Sequence, residues 1–285
     1  MLCPLPIRLA FCLTVALFVA RDVWAEDRSL GLWLEVEGVN RPFESPESLE
    51  NALNFIETHK FTDVYCQIYR AGRSWFPSEL ADDTPYRLAV SQGFDPLRRV
   101  LDAAHRRGIR VHAWVNTLNL ATNVNAPLLK RAGGEAVLVD SVGNSILNYN
   151  REGLPGTAQS ASAALDTPAI WLDPANSGVR DFMRDLVLEL ATRYPDLAGI
   201  HFDMLRYPYP LQGSNAAGVM VGREVGYGYS ASSVARFYRR LEIESPSQLP
   251  ADYGIASLLP EGPEWADWRR LQLREFVVHL TLPLR

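Results

Sequence analysis

The sequence predicts an α/β fold in which parallel strands, each followed by a helix, begin a TIM-like (β/α) barrel and leave it incomplete. Three observations carry this expectation. Four strand patterns alternate with amphipathic helix patterns, the order that βαβ crossovers require. The strands place their unusual polar residues on one face by the same two-residue parity. Long irregular stretches, residues 70–94, 117–171 and 204–229, all leave the C-terminal ends of strands, where a barrel assembles its working face.

Residues 1–25 read as a cleaved export signal. Arg8 precedes an apolar run over residues 9–20, and Val23-Trp24-Ala25 offers a cleavage point before Glu26. That run is shorter than the ~20 apolar residues of a membrane span, and no later segment supplies one, so no stable membrane span is expected. The expected location is exported, periplasmic or extracellular. Residues 26–285 are then one barrel domain, its N-terminal half, in a chain of 285 residues that is 47% hydrophobic and can bury a sizeable core. The formal charge of −5 argues against a broad nucleic-acid surface, which needs concentrated Lys and Arg. Cys3 and Cys12 fall in the export segment, so Cys66 is alone in the mature chain, without a disulfide partner, and reads as a buried structural thiol.

The first strand pattern, residues 30–37, puts Trp33, Glu35 and Glu37 on one face. Ser45 caps a helix that carries Pro46 in its first turn and the stripe Leu49, Ala52, Leu53, Ile56. The second strand, residues 62–69, sets Tyr65, Gln67 and Tyr69 against Val64, Cys66 and Ile68. Asp95-Pro96 starts a helix bearing Leu97, Val100, Leu101 and Ala104, and Gly108 supplies a left-handed stop. The third strand, residues 109–116, carries His112, Trp114 and Asn116 on its polar face. Asn176 or Ser177 then opens a helix packed through Val179, Phe182, Met183, Leu186, Val187 and Leu190, and Pro195 ends it. The fourth strand, residues 198–203, opposes His201 and Asp203 to Ile200 and Phe202. Beyond it the pattern gives helices over residues 230–241 and 265–280 and no fifth strand, whereas a full barrel takes about 250 residues even without long loops. An open sheet of this kind exposes an edge through which copies can associate.

Asp203, at the end of a buried strand, is the best candidate for a catalytic carboxylate, and Glu37 is the candidate second carboxyl group. His112 and His201 are placed to orient Asp203 or bind substrate, and Gln67 and Asn116 to bond sugar hydroxyls. Tyr69, Trp75, Trp114, Tyr207 and Tyr209 offer flat apolar surfaces to sugar rings. Arg70, Arg73 and Arg206 either bind an acidic group or bridge Glu79, Asp82 and Asp83. No glycine-rich fingerprint follows the first strand, so no nucleotide cofactor is expected. A metal-dependent hydrolase or deacetylase, with His201, Asp203 and His112 as ligands, is a competing reading, though no two-Cys or paired-His metal motif accompanies these residues.

Taken together, residues 31–35, 61–70, 75–78, 93–97, 104–116, 171–174 and 199–203, with Arg206-Tyr207-Pro208, resemble the glycosyl-hydrolase-like family 10, formerly a domain of unknown function and similar to proteins that trim peptidoglycan glycan strands. The pairing of His-Ala-Trp-x-Asn at 112–116 with Gly-Ile-His-Phe-Asp at 199–203 is the specific part. The resemblance implies a TIM-like barrel and hydrolysis of a polysaccharide or peptidoglycan-type glycan, with Asp203 as nucleophile or transition-state stabiliser of a retaining enzyme. It also implies a sugar-binding shell of Gln67, Arg70, His112, Trp114, Asn116, His201, Arg206 and Tyr207, to which the residue reading adds Tyr69 as a substrate-binding candidate. The general acid is Glu37 or a residue of a later strand. Members usually carry a further Asp where this chain has Met204, which removes a two-aspartate mechanism at this strand. A noncatalytic glycan-binding or structural protein is the remaining alternative.

Overall fold

The computed structural model describes residues 29–140, 143, 145–148, 169–208, 226–242 and 263–284. Residues 1–25, read above as an export signal, and Tyr209 lie outside the described residues. The elements run β1 (Gly31–Leu34), α1 (Pro46–Thr58), β2 (Asp63–Arg70), β3 (Arg73–Ser74), α2 (Thr84–Ser91), α3 (Pro96–His105), β4 (Arg110–Asn116), α4 (Pro127–Ala132), α5 (Ser177–Arg193), β5 (Gly199–Asp203), α6 (Ala231–Arg240) and α7 (Pro263–Thr281).

The parallel strands lie in the order β1-β2-β4-β5, with the short β3 paired antiparallel to the end of β2. Among the described residues the sheet does not close, and β1 and β5 are its edges. It is nevertheless strongly curved. Three strand spacings, roughly 14 Å in a flat sheet, separate β1 from β5, yet the Trp33 and His201 ring centroids are 6.1 Å apart across the concave face. This is the curvature of an open barrel.

Local signals fix the helices. Side chains of Ser45, Asp95, Asn176 and Ser230 accept the amide hydrogens of Ser48, Arg98, Val179 and Ser233 and so satisfy one orphan donor at the start of α1, α3, α5 and α6. Gly108 has φ +66° after α3. The outer face of the sheet, with Cys66 and Ala113 in register and both fully buried, packs under the helices. Burial pushes the Cys66 thiol up to about 12, so it is a core residue and not a nucleophile. Helix α7 lies along α5, burying Phe276 and Leu280 completely, while Arg180 of α5 donates to Gln272 Oε1 at 2.9 Å.

The alternation expected for β2 fails at its end. Gln67 is opposite Trp114, but Tyr69 is opposite Val115, so a bulge at Ile68 shifts the register by one residue. A one-residue slip turns every later side chain to the other face. Tyr69 therefore leaves the polar face and is fully buried in the core, and Arg70 replaces it at the concave rim. Ala71 and Gly72, at φ +53° and +79°, make the two-residue turn into β3. A Cβ on Gly72 would stand 2.6 Å from that of Ala126, so only glycine fits there.

At the opposite end of the sheet, Asp63 is buried and bound on several sides. It accepts from Arg110 Nε at 2.7 Å, Arg110 NH2 at 2.6 Å, His112 Nε2 at 2.9 Å, Thr62 Oγ1 at 2.8 Å and Ser29 Oγ at 2.7 Å. The Arg110 guanidinium above all holds the Asp63 carboxyl well below the usual carboxylate range, against the opposing effect of burial. Asp63→Ala should lower the unfolding free energy at pH 7 by roughly 1.5–3 kcal/mol, the range for hydrogen bonds to a charged group. A depressed folded value contributes stability that is complete above the unfolded value of about 4 and is lost as pH falls below it. Urea unfolding should show the gap between wild type and variant narrowing from pH 7 to pH 3; a gap of constant size would refute this account of Asp63.

Candidate functional site

The candidate site is the C-terminal rim of the concave face, and Asp203 is its centre. Asn116 and Asp203 end β4 and β5 as register partners. The Asp203 carboxylate is partly exposed and held from two sides: Trp114 Nε1 donates to Oδ2 at 2.9 Å, and the Met204 amide donates to Oδ1 at 2.6 Å. Its own carbonyl accepts from Thr117 N at 2.9 Å and Thr117 Oγ1 at 2.8 Å, which anchors the strand end. Met204 sits at φ +53°, a left-handed conformation that costs a side-chain-bearing residue about 1–2 kcal/mol. This turn aims the Met204 amide back at the Asp203 carboxylate.

The second expected carboxylate is engaged elsewhere. Glu37 Oε2 is 3.1 Å from Arg70 Nε, and Oε1 accepts from Arg73 NH2, while Arg70 NH1 also reaches Glu35 at 2.6 Å. Two of the three arginines that were expected either to bind an acidic ligand or to bridge Glu79, Asp82 and Asp83, Arg70 and Arg73, thus clamp the glutamates leaving β1. Arg70 reaches them because of the bulge. Both oxygens of Glu37 face guanidinium groups.

Gln67 and Asn116 are inward supports. They are 1% and 6% exposed, Gln67 Nε2 donates to Asn116 Oδ1 at 3.3 Å, and Gln67 Oε1 accepts the Val36 amide at 3.4 Å. His112 does not reach Asp203. It lies at the other end of β4, bonded to Asp63 and stacked on Tyr65, which stacks on Trp33. Two residues of extended strand separate it from Trp114, so the same parity placed it on the right face and at the wrong depth. His201 sits among the rings of Trp33, Tyr65 and Trp114. Among the described residues no group of three or more His, Cys, Asp or Glu side chains is placed to hold a metal ion.

The loop after Asp203 is held by contacts that the sequence reading did not anticipate. Arg206 lies over the Trp171 ring at 4.7 Å and donates to the Tyr207 carbonyl at 3.2 Å. Tyr207 lies under Arg269 of α7 at 4.3 Å, and a Cβ on Gly228 would come within 2.9 Å of its ring. Burial, then the Asp173 carboxylate, pushes the Tyr207 phenol up. Asp173 is itself fully buried, bonded by Ser230 Oγ at 2.8 Å, Ser233 Oγ at 2.9 Å and the Ala175 amide at 2.8 Å, and burial raises its carboxyl despite these bonds. It ties the segment before α5 to the start of α6. The nearest sequence signal was the Trp-Leu-Asp-Pro stretch at 171–174.

The chain matches the glycosyl hydrolase-like 10 family over residues 21–285. It is 24% identical over 192 residues to the glycosyl hydrolase DigH of Escherichia coli (strain K12), a match covering 64% of this chain and 41% of that protein. It is 22% identical over 196 residues to the glycosyl hydrolase YngK of Bacillus subtilis (strain 168), covering 68% of this chain and 34% of that one. The chain therefore spans less than half the length of these relatives. Among solved structures, the catalytic domain of β-amylase from Paenibacillus polymyxa superposes with a TM-score of 0.51 at 13% identity, covering 89% of this chain and 62% of that one. That likeness is one of fold.

The left-handed turn at Met204 yields a direct test. Met204→Asn should leave stability unchanged or raise it, because Asn tolerates this conformation, whereas the β-branched Met204→Val should lower it by about 1–2 kcal/mol. Equal midpoints for the two variants in thermal or urea unfolding would remove the claim of strain beside Asp203.

Proposed function

Because the chain belongs to the glycosyl hydrolase-like 10 family, we propose that it hydrolyses a glycosidic bond of a polysaccharide or peptidoglycan-type glycan, with Asp203 as the reacting carboxylate. One observation carries the reading: the partly exposed Asp203 carboxylate at the end of β5, oriented by the Trp114 indole and the Met204 amide. A carboxylate so fixed can approach an anomeric carbon without first reorganising its own hydrogen bonds. In the retaining course Asp203 attacks that carbon while a second carboxyl group protonates the departing glycosidic oxygen. Water then cleaves the glycosyl ester and the configuration is restored. Asp203 acting as a stabiliser of oxocarbenium-like charge would use the same geometry.

Within this proposal the exposed part of the Trp114 ring and the Arg206-Tyr207 loop form the sugar-contacting rim. Gln67, Asn116, Arg70 and Glu37 hold the strand ends beneath it. The proton donor is then a group other than Glu37, or Glu37 after release from Arg70 and Arg73. The exported location read from residues 1–25 belongs to the same proposal and matches a substrate of the envelope or the medium. The clamp on Glu37 favours one alternative, a glycan-binding protein without turnover.

Reducing-end release from a panel of polysaccharides and peptidoglycan glycan strands decides between them. Asp203→Asn should lower the rate by at least ~100-fold with an unchanged circular dichroism spectrum, and a chelator should leave the wild-type rate unaltered. Oligosaccharide binding without release across the panel would instead establish the binding protein.

A further inference from the structure

We infer that Arg180, Arg269 and Gln272, where α5 meets α7, form a binding site for one small inorganic oxyanion of the phosphate or sulfate class. Helix α7 carries two buried donors that meet no acceptor among the described residues, Arg269 Nε and Gln272 Nε2. They stand three residues apart and are therefore neighbours on the helix surface. The orientation of the Gln272 amide is fixed by its other end. Arg180 donates to Gln272 Oε1 at 2.9 Å, so a flipped amide would set donor against donor. Gln272 is 1% exposed, which leaves its amino group no bulk water to bond.

The charge around these donors is positive. Burial lowers the proton affinity of the Arg180 guanidinium, Glu275 opposes this from 3.5 Å, and the neighbouring Arg236 of α6 reinforces it. Arg269 lies 4.3 Å over the Tyr207 ring, and the Tyr207 phenol, kept protonated by burial and by Asp173, is a further donor. The Asp173 carboxylate is already bonded by Ser230, Ser233 and the Ala175 amide, and burial holds it toward its neutral form. Three guanidinium groups thus gather where Glu275 is the one carboxylate not so committed. A buried water would need acceptors for its own two hydrogens. An oxyanion only accepts, and its charge offsets the excess. The direct bond between Arg180 and Gln272 holds α5 and α7 close and restricts the ligand to a few atoms. Tyr207 belongs to the loop that leaves Asp203, so a bound anion braces the base of that loop.

Isothermal titration calorimetry of the purified chain with inorganic phosphate, repeated with sulfate, in chloride buffer of fixed ionic strength, tests the site. The expected result is one saturable site per chain. Arg269→Gln should weaken it by at least about tenfold. Arg270→Gln, which removes the same charge from the exposed face of α7, should leave it unchanged. Gln272→Glu keeps the acceptor for Arg180 and puts a carboxylate of the chain in place of the ligand, so this variant should fold and take up no phosphate. No saturable uptake of either anion by the wild-type chain would assign the two donors to water and overturn the inference. A loss in Arg270→Gln as large as in Arg269→Gln, or undiminished binding in Gln272→Glu, would overturn it as well. Should Arg269→Gln fail to fold, the Gln272→Glu titration decides alone. No glycan enters the measurement, so its outcome is independent of the proposed hydrolysis.

Discussion

Asp63 anchors the register of β2 against β4 as far as Gln67, on which the positions of Trp114 and Asn116 depend; beyond it the bulge at Ile68 places Arg70. Asp63 begins β2 opposite Gly31 of β1 and Arg110 of β4, and it binds Arg110 and His112 of the neighbouring strand together. Side chains alternate strictly along a strand, so a slip of one residue between β2 and β4 would send Trp114 and Asn116 to the helix side and leave Asp203 without its indole partner. A buried carboxylate with charged and hydroxyl donors around it tolerates no such slip, because each lost bond would leave a desolvated oxygen. The chemistry at one end of the sheet is thus aligned by electrostatics at the other.

Much of the fold was legible because its signals are local. Ser45-Pro46, Asp95-Pro96 and Asn176 announce helix starts through short-range hydrogen bonds, and each does so here. Helix α2 escaped notice for a physical reason: Leu88 and Val90 are exposed and only Ala89 is buried, so no apolar stripe marks it. The bulge in β2 was equally invisible. Nothing in Gln67-Ile68-Tyr69 distinguishes it from regular alternation, and the register emerges only when β4 is laid alongside. The consequence was to put Tyr69 on the polar face and to leave unread the reach of Arg70 to Glu35 and Glu37.

The site was readable where it depends on strand position and obscure where it depends on long-range partners. Asp203 follows from its place at the end of β5. Its donor Trp114 was read as a sugar platform, since parity gives the face of a residue but not the direction of its N–H. His112 was misread in depth for the same reason. Asp173 and Ser230 meet across 57 residues of chain, and such a pairing has no local signature. The four parallel strands that the described residues show were each readable as an apolar run.

The docking of α7 bears on how the chain acquires its core in time. Phe276 and Leu280 are fully buried in the main cluster, and Arg180 meets Gln272 across 92 residues. Until the ribosome has released that helix, the cavity they fill has nothing to close it, and α5 keeps an apolar flank open to water. Contacts of such sequence separation form late and slow the search for the native state. The α5 flank is therefore the surface that a chaperone would cover to best effect during synthesis.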